Sequence, residues 1–519
     1  MENLYYEVAL PLPLRNSFTY SSNIKISNGS RVQVPFRNRE IVGYVLKKQS
    51  SPNVKSIKPI TKVLDRNSLI DKPSYDLIHW IANYYKAPIG EIFKSYFPPF
   101  LRKGKEINDS IEVYAITNLG KLASKESFGR AKKQFEALEV FQHKSELSRP
   151  GLKANKISKD ILDDLISKGY IEKKSRNRNE LKTNKELNSE AFFELNVEQN
   201  KIYKSIKNSS TNLTHLIFGV TGSGKTEIYF HLIRDFIEKG KQVLILVPEI
   251  GLTPNLKAEI EKRFGEDNVA LLHSEMSEKD RAHAWNDINK GFKSILIGTR
   301  SAIFTPFKDL GLIVVDEEHD SSYKQIDGFR YSARDVAVYR ANLEKIPVIM
   351  CSATPSLESL KNCQDEKYCL HKLTRRVKDA RQPKFEISDL RSSELKSGLT
   401  EYSLNEISKE LSKGNQVLVF LNKKGYAPMV FCNKCGWTPE CSNCDVSMVY
   451  HINPKRLVCH HCGTKHPMPV ACLNCNEESL EFFHTGTEKL EEFLKEYFKN
   501  TPVIRVDREA LGKEQLRSN

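Results

Sequence analysis

The sequence predicts an α/β protein whose central sheet is parallel and buried on both faces. Between residues 191 and 385, near-continuous aliphatic runs alternate with helical segments, as expected for such a sheet. The expected strands are Leu216–Phe218, Val243–Val247, Val269–Leu272, Ser294–Ile297, Leu312–Val315 and Pro347–Cys351. The first strand leads into Gly219-Val-Thr-Gly-Ser-Gly-Lys-Thr226, which has the spacing G-x-x-x-x-G-K-S/T of a phosphate-binding P-loop. A parallel sheet that opens with a P-loop indicates a RecA-like nucleotide-binding core.

The glycine-rich turn contains the residues that phosphate binding requires. Gly222 and Gly224 allow backbone N–H groups to close around phosphate oxygens, where a Cβ atom would collide. Lys225 is expected to reach the β- and γ-phosphates of ATP, and the Thr226 hydroxyl is expected to bind Mg²⁺. The predicted nucleotide-binding residues are Gly219, Thr221, Gly222, Ser223, Gly224, Lys225, Thr226 and Asp316.

A second motif, Leu312-Ile-Val-Val-Asp-Glu-Glu-His319, places carboxylates after a core strand. Ligands of open α/β sheets bind at the carboxyl ends of the strands. Asp316 is therefore expected to hold Mg²⁺, and Glu317 to polarise the attacking water as a general base. Together with Lys225 they are the predicted catalytic residues. An acidic loop after a strand is the alternative, but the preceding P-loop favours nucleotide hydrolysis.

The amino-acid composition indicates the general class of the protein. The 519 residues are 39% hydrophobic and 28% charged, which predicts three or four globular domains. The formal net charge of +15 suits a polyanionic partner such as nucleic acid, although a solvated lysine-rich surface gives the same balance. The N-terminus has neither the basic nor the apolar region of a signal peptide, and no apolar run could span a bilayer. We therefore expect a cytoplasmic protein without membrane contact.

Residues 1–105 are predicted to form a β-rich DNA-binding domain. Short β-branched runs at Val8–Leu14, Ser30–Phe36 and Ile41–Leu46 indicate strands, and Tyr75–Tyr85 indicates a helix with an aromatic face. Basic residues among aromatic side chains suit single-stranded nucleic acid. The alternative is that these aromatic side chains form the core of the domain.

Residues 106–190 are predicted to form a winged-helix-like domain and a linker. A helix over Lys159–Lys168 ends at Gly169 and is followed by a basic strand, Tyr170–Lys174. A plain helical linker domain is the alternative. Residues 175–190 are charged and low in apolar residues, which is typical of a linker.

A second α/β lobe is predicted in two pieces, residues 386–431 and 476–519. Its expected helices are Leu404–Lys413 and Glu488–Phe498, and its expected strands are Gln416–Leu421, Leu480–Phe483 and Val503–Val506. These elements are too few for a complete α/β lobe, so the second lobe is expected to be partial.

Residues 432–475 contain four C-x-x-C pairs and are predicted to be a zinc-binding insert. The pairs are Cys432/Cys435, Cys441/Cys444, Cys459/Cys462 and Cys472/Cys475. Because two such turns complete one tetrahedral Cys₄ site, four turns predict two structural Zn²⁺ ions. Spacing alone permits three pairings of the turns. The nearby histidines are left out of coordination, since eight thiolates suffice.

The P-loop, the Asp-Glu-Glu-His motif and Ser352-Ala-Thr354 together resemble a superfamily 2 helicase. Three further stretches resemble the PriA family of replication-restart helicases. They are the aromatic-rich segment Asp320–Arg340, the motif Leu418–Pro428, and the N-terminal Leu10-Pro-Leu-Pro with Arg31–Phe36. The resemblance covers essentially the whole chain, in order.

This resemblance implies an ATP-dependent 3′→5′ DNA helicase that acts at stalled forks. Its implied partners are forked and single-stranded DNA, a DNA 3′ end bound by residues 1–105, primosome proteins and single-strand-binding proteins. The implied zinc pairing is nested, with Cys432, Cys435, Cys472 and Cys475 on one ion and Cys441, Cys444, Cys459 and Cys462 on the other. We also expect a monomer.

The aromatic-rich segment supplies candidate DNA contacts. Tyr323, Phe329 and Tyr331 are expected to stack on bases or on a neighbouring lobe, or else to pack within a surface loop. The candidate phosphate contacts are Lys324, Arg330 and Arg334, together with Arg300 in the loop after the fourth core strand.

Two departures from the family pattern qualify this interpretation. The sequence has no Gly-Arg-Ala-Gly-Arg-type run after Arg505-Val-Asp-Arg-Glu-Ala510, so the chain resembles a C-terminally truncated member. In the family an arginine of this run reaches the γ-phosphate, and an arginine in that role accelerates other nucleotide hydrolases about 10³–10⁵-fold. We therefore expect nucleotide binding with slow hydrolysis and no processive unwinding. Thr19 also stands where the family usually has an acidic residue that recognises a DNA 3′ end. The alternative function is a fork-binding, primosome-recruiting scaffold without motor activity.

Overall fold

The computed structural model describes most of the chain. The described residues are 4–50, 56–65, 67–107, 110–129, 131–148, 151–152, 155, 157–177, 191–209, 213–248, 253–377, 383–389, 395–421, 429–444, 446–451, 456–459, 461–483 and 487–506. Most of the predicted linker, residues 178–190, and most of the last helicase-like motif, residues 422–428, lie outside them. The chain folds as two compact units, Met1–Arg381 and Gln382–Asn519. No described helix is both long and apolar enough to cross a membrane.

The N-terminal part of the first unit is a six-stranded sheet with the order β5-β2-β1-β4-β3-β6. Its strands are β1 (Leu4–Ala9), β2 (Phe18–Ser22), β3 (Arg31–Phe36), β4 (Arg39–Gln49), β5 (Lys58–Pro59) and β6 (Lys62–Val63). The prediction that the first strand spans Val8–Leu14 is wrong, because β1 ends before Leu10-Pro-Leu-Pro. Proline has no N–H to donate to a strand ladder, which favours this end.

Three helices cover one face of this sheet, namely α1 (Lys72–Tyr84), α2 (Ile89–Tyr96) and α3 (Pro99–Arg102). Asp71 caps α1 by accepting from the Ser74 N–H. Helix α2 lies directly on the chain after β1, since a Cβ on Gly90 would lie 1.7 Å from the Leu10 carbonyl oxygen. Buried rings of Tyr44 and Phe93 stack at 5.2 Å between sheet and helix. The aromatic residues of this region therefore form core in part, as one of the alternatives predicts.

A three-stranded antiparallel sheet with the order β8-β7-β9 follows. Its elements are β7 (Ser110–Ile116), α4 (Asn118–Leu122), α5 (Lys132–Lys144), β8 (Glu146–Ser148), α6 (Lys159–Ser167) and β9 (Ile171–Asn177). The predicted helix that ends at Gly169 and the strand after it are confirmed, and Gly169 has a φ of +74°.

The nucleotide-binding part of the first unit is a seven-stranded parallel sheet with the order β12-β13-β11-β14-β17-β10-β18. Its strands are β10 (Thr214–Gly219), β11 (Gln242–Leu246), β12 (Val269–Leu272), β13 (Ile295–Gly298), β14 (Leu310–Val315), β17 (Val348–Ser352) and β18 (Tyr368–Leu373). The six predicted strands are confirmed, and β18 is an additional edge strand. The RecA-like parallel sheet is therefore confirmed.

Helices cover both faces of this sheet. They are α7 (Val197–Lys207), α8 (Lys225–Glu238), α9 (Thr253–Phe264), α10 (Glu278–Asn289), α11 (Ala333–Glu344) and α12 (Leu357–Gln364), and the short strands β15 (Lys324–Gln325) and β16 (Tyr331–Ser332) form a hairpin before α11. The sheet residues alternate between two apolar clusters, one on each face. Burial on both faces explains the near-continuous aliphatic strands of the sequence.

The second unit contains a short hairpin, two helices and a five-stranded sheet of order β24-β23-β22-β21-β25. The elements are β19 (Leu395–Lys396), β20 (Leu399–Thr400), α13 (Glu401–Ser412), β21 (Met429–Cys432), β22 (Val449–His451), β23 (Arg456–Val458), β24 (Lys465–Pro467), β25 (Leu480–Phe483) and α14 (Thr487–Tyr497). Both predicted helices are confirmed.

Two predicted strands of this unit are wrong. Residues 416–421 and 503–506 form no strand, and no described strand pairs with either of them. Leu418 is 89% exposed and Ile504 is 73% exposed. The predicted strand Leu480–Phe483 does form, but it pairs antiparallel with Met429–Cys432 rather than joining a parallel sheet. An apolar run becomes a strand only where a neighbouring backbone accepts its hydrogen bonds.

Candidate active site and metal centres

The P-loop connects β10 to α8, and Lys225 is the first residue of that helix. Gly222 and Gly224 both have a φ of +78°, and Gly224 occupies the N-cap. The Lys225 ammonium donates to the Gly219 carbonyl oxygen at 2.8 Å, which holds the charge over the loop. Positive φ angles and the helix N-terminus turn backbone N–H groups inward, so the loop is an anion-binding concavity.

The residues of the loop fit a nucleotide phosphate. The Ser223 hydroxyl is buried without a hydrogen-bond partner among the described residues, and a phosphate oxygen would supply one. A Cβ on Gly219 would lie 2.5 Å from that hydroxyl oxygen, so only glycine leaves it this space.

Asp316 and Thr226 are brought together by Tyr229 of α8. The Tyr229 hydroxyl donates to Asp316 Oδ2 at 3.2 Å and also hydrogen-bonds with Thr226. Burial raises the pKa of Asp316, the charge of Glu317 raises it further, and Lys225 acts in the opposite direction. A bound cation would favour the ionised carboxylate, so the environment of Asp316 suits a metal ligand.

Glu317 lies beside Asp316 at the mouth of the site. It has a φ of +45°, and its N–H donates to Asp316 Oδ1 at 3.0 Å. Its carboxylate is partly exposed and lies 3.4 Å from Nδ1 of His319. The same nitrogen lies 2.8 Å from the Ser352 hydroxyl, so the Asp-Glu-Glu-His and Ser-Ala-Thr motifs are in direct contact.

Glu318 points the other way, into the protein, and is 1% exposed. Its carboxylate accepts from Arg334 Nη1 at 3.1 Å, from the Ser356 N–H at 2.7 Å and from the Ser359 hydroxyl at 2.8 Å. It therefore ties the acidic motif to the start of α12. Of the two adjacent glutamates, only Glu317 faces the nucleotide side, which the sequence alone could not show.

Replacing Glu318 with glutamine is expected to destabilise the first unit by about 2–4 kcal/mol, because a neutral amide leaves Arg334 without its buried carboxylate. Thermal or urea unfolding measures this loss. Glu358→Gln changes an exposed glutamate on α12 and should leave stability unchanged. Equal stability of the two variants would contradict the structural role of Glu318.

The three candidate stacking rings are buried. Tyr323, Phe329 and Tyr331 are 2%, 6% and 3% exposed. The Tyr323 hydroxyl donates to the carbonyl oxygens of Leu246 and Asp316, at 2.9 and 2.6 Å. This arrangement favours the alternative in which the rings pack within the protein, and it connects the aromatic segment to the backbone of Asp316.

The four candidate phosphate contacts differ in availability. Lys324 and Arg330 are exposed. Arg300 is partly buried and donates to the carbonyl oxygens of Ser322 and Lys324, at 3.1 and 3.3 Å. Arg334 is held by Glu318 and Asp335. Lys324 and Arg330 are therefore the cations best placed for an external phosphate.

The eight paired cysteines form two clusters in the second unit. Cys432, Cys435, Cys472 and Cys475 form one and Cys441, Cys444, Cys459 and Cys462 the other, and within each the sulfur atoms lie within 4.8 Å of one another. Between the two turns of a cluster, Sγ–Sγ distances of 3.5–3.6 Å occur. A tetrahedron with Zn–S bonds of about 2.3 Å requires about 3.8 Å, so each cluster fits one Zn²⁺. The two clusters follow the nested pairing rather than the alternatives that spacing left open.

Three of the four turns share one backbone geometry. Gly436, Gly463 and Asn476 follow the second cysteine of their pairs, have positive φ, and donate to the carbonyl oxygen of the first cysteine at 2.9 Å. Glycine and asparagine tolerate this conformation best, which explains their presence after the pairs. His461 contributes a ring nitrogen 3.3 Å from the Cys444 sulfur, outside the fourfold cluster.

Separate parts of the chain match the models of known protein families. Residues 7–98 match the model of the 3′ DNA-binding domain (3′BD) of PriA, and residues 196–363 match the DEAD/DEAH box helicase model. Residues 441–467 match the Cys-rich region (CRR) domain of PriA DNA helicase. The replication restart protein PriA of Haemophilus influenzae is 38% identical over an alignment of 519 positions, which covers 98% of this chain and 70% of that protein.

The chain belongs to the PriA family. The replication restart protein PriA of Chlamydia pneumoniae is 34% identical over 97% of this chain and 70% of its own length. That of Bacillus subtilis is 40% identical over 60% of this chain and 39% of its own length. The matches support a DNA-binding protein with an ATP-hydrolysing helicase domain and zinc-binding cysteines.

The sequence interpretation missed Gln199 as a part of the nucleotide site. Its side-chain amide donates to the Ser223 carbonyl oxygen at 2.9 Å, and its Oε1 accepts from the Asn196 N–H. Asn196 and Gln199 form the capping box of α7, and Gln199 thus supports the P-loop from a helix 24 residues upstream of Ser223. The N-x-x-Q spacing before an apolar helix was the available signal.

Proposed function

We propose that the chain is an ATP-dependent 3′→5′ DNA helicase of replication restart, which recognises stalled forks and initiates primosome assembly. The observation that carries this proposal is the contact of Tyr229 with both Thr226 and Asp316. It joins the P-loop to the acidic motif, as ATP hydrolysis requires. The match to a 3′ DNA-binding domain in the same compact unit supports forked DNA as the substrate.

In this mechanism Lys225 and the P-loop N–H groups bind the phosphates of ATP. Thr226 and Asp316 would hold Mg²⁺, which would supply positive charge against the phosphates. Glu317 orients and deprotonates the attacking water, since its carboxylate remains partly exposed at the mouth of the site. The two Cys₄ clusters hold structural zinc, because a closed shell of four thiolates leaves no open coordination position.

The proposed DNA ligands of the protein are single strands, forks and 3′ ends. Lys324 and Arg330 are the exposed cations of the aromatic segment. Thr19 lies opposite Glu7 in the sheet, and its hydroxyl donates to Gln49 Oε1 at 3.0 Å. A DNA 3′ end would therefore meet polar groups here rather than an acidic residue at position 19.

Family membership supports the wider proposal. Primosome and single-strand-binding proteins are the proposed partners, the proposed state is a monomer, and the proposed location is the cytoplasm, where replication forks lie. The proposed domains are residues 1–105, 106–190, 191–385, 386–431 with 476–519, and the zinc insert 432–475. The second candidate function, a fork-binding scaffold without motor activity, is favoured by the exposed runs 416–421 and 503–506, which no described strand covers.

A strand-displacement assay on a labelled fork distinguishes the two functions. The helicase proposal predicts slow, non-processive displacement of a short strand with ATP and none with a non-hydrolysable ATP analogue. Binding of the fork without displacement under either condition would support the scaffold instead.

A further inference from the structure

A cavity of about 320 Å³ lies within the first unit, between the N-terminal helices and the parallel sheet. One wall is the corner of α2 and α3. The other is formed by Leu272, by α10, by residues 301–305 after β13 and by residues 325–331 of the aromatic segment. Leu272 ends β12, so the cavity opens at the carboxyl edge of the sheet, where ligands of α/β proteins bind.

The cavity carries excess positive charge. Lys94, Arg102 and Arg281 line it, against the single carboxylate of Glu91. Burial and the nearby charge of Arg281 lower the pKa of Arg102. Neither arginine forms an ion pair with a described residue, and Glu278, which influences both, is held by Lys103 at 2.7 Å. Burial lowers the pKa of both guanidinium groups, so an anion between them would stabilise their charged forms.

Buried polar atoms on both walls also lack partners. Tyr96 of α2 and Thr305 of the opposite wall are each 1% exposed, and both line the cavity. Neither hydroxyl has a hydrogen-bond partner among the described residues, and the same holds for Arg281 Nε. Buried polar groups are normally satisfied, so these atoms indicate a polar occupant.

Aromatic side chains form much of the remaining lining. Phe97 and Trp285 lie with ring centroids 5.9 Å apart, and Phe329 stacks on Tyr331 at 4.9 Å. Trp285 Nε1 donates to the Tyr96 carbonyl oxygen at 2.8 Å and so fixes the two walls together. Aromatic faces beside guanidinium groups are the surroundings in which proteins bind an unstacked base and its phosphate.

We infer that this cavity binds one phosphorylated nucleotide, with its phosphate between Arg102 and Arg281 and its base among the aromatic side chains. The volume lies at the lower end of ligand pockets, about 300–1,000 Å³, which suits a single nucleotide. The inference rests on the proposed function, because single-stranded DNA at the fork is the first source of such a nucleotide. A free nucleotide is the second source, and it offers the same base and phosphate to the cavity.

Photocrosslinking tests the inference with the full chain. The probes are a short oligothymidylate carrying one 4-thiothymidine, and dTMP alone. We expect crosslinks to the peptides around Tyr96 or Trp285, and about tenfold weaker binding by Arg281→Gln, which loses a charge-assisted contact. Lys279→Gln removes an exposed charge from the same helix outside the cavity and should bind as the wild type does.

Thr305→Val keeps the shape of its side chain and removes only the hydroxyl without a partner, so it should weaken binding several-fold while the protein remains folded. If dTMP binds with this dependence and the oligonucleotide does not crosslink, the occupant is a free nucleotide. If the oligonucleotide binds elsewhere, and the Arg281→Gln and Lys279→Gln variants bind both probes with equal affinity, the cavity assignment is wrong. The DNA-binding proposal then stands. If neither probe binds, both the cavity assignment and the DNA-binding proposal are wrong.

Discussion

Replacing Cys441 with serine is expected to reduce the zinc content from two ions to one per chain and to unfold part of the second unit. The apolar cluster there is small, and two of its members are the ligands Cys441 and Cys459. Structural zinc contributes about 10–16 kcal/mol in zinc-finger peptides, so this cluster cannot replace the lost ion. Metal analysis of the purified variant measures the stoichiometry, and hydrogen exchange measures the local unfolding.

The nested pairing makes this prediction specific. Cys432→Ser should also leave one ion, and the double variant should leave none, because the two clusters share no ligand. Cys363→Ser is the matched control, since Cys363 lies outside both clusters. Two ions in the Cys441 variant, or a loss of zinc from the control, would contradict the assignment.

Replacing Lys225 with alanine is expected to weaken ATP binding by more than about 100-fold. The ammonium lies over the P-loop and would form charge-assisted contacts with two phosphates, each of about 1.5–3 kcal/mol. Titration calorimetry or a fluorescent ATP analogue measures the affinity. The purified variant should bind zinc normally, because the cysteine clusters belong to the other unit.

Lys239→Ala provides the control for this change. Lys239 lies at the C-terminal end of the same helix and is exposed. Its loss should leave the affinity for ATP unchanged. Equal affinities of the Lys225 and Lys239 variants would exclude the P-loop as the phosphate site.

The parallel core could be predicted from sequence because its signals are local. Strands buried on both faces are aliphatic throughout, as in Leu312–Val315, and the P-loop spacing lies within one turn. The runs 416–421 and 503–506 have the same composition but lack a described neighbour. Strand formation depends on that neighbour, so composition alone could not distinguish them.

The details of the candidate site depend on contacts between distant residues. Glu317 and Glu318 are adjacent in sequence, yet Arg334, Ser356 and Ser359 decide that Glu318 is structural. Stacking and core packing use the same aromatic residues, so the burial of Tyr323 could not be derived from its type. The expectation of slow hydrolysis remains a prediction.

The most direct test of the central claim is the ATP hydrolysis rate of the whole chain with and without forked DNA, measured beside Glu317→Gln. We expect hydrolysis that the fork stimulates and that Glu317→Gln abolishes while ATP and zinc remain bound. Hydrolysis that is indifferent to the fork, or that survives in Glu317→Gln, would contradict it.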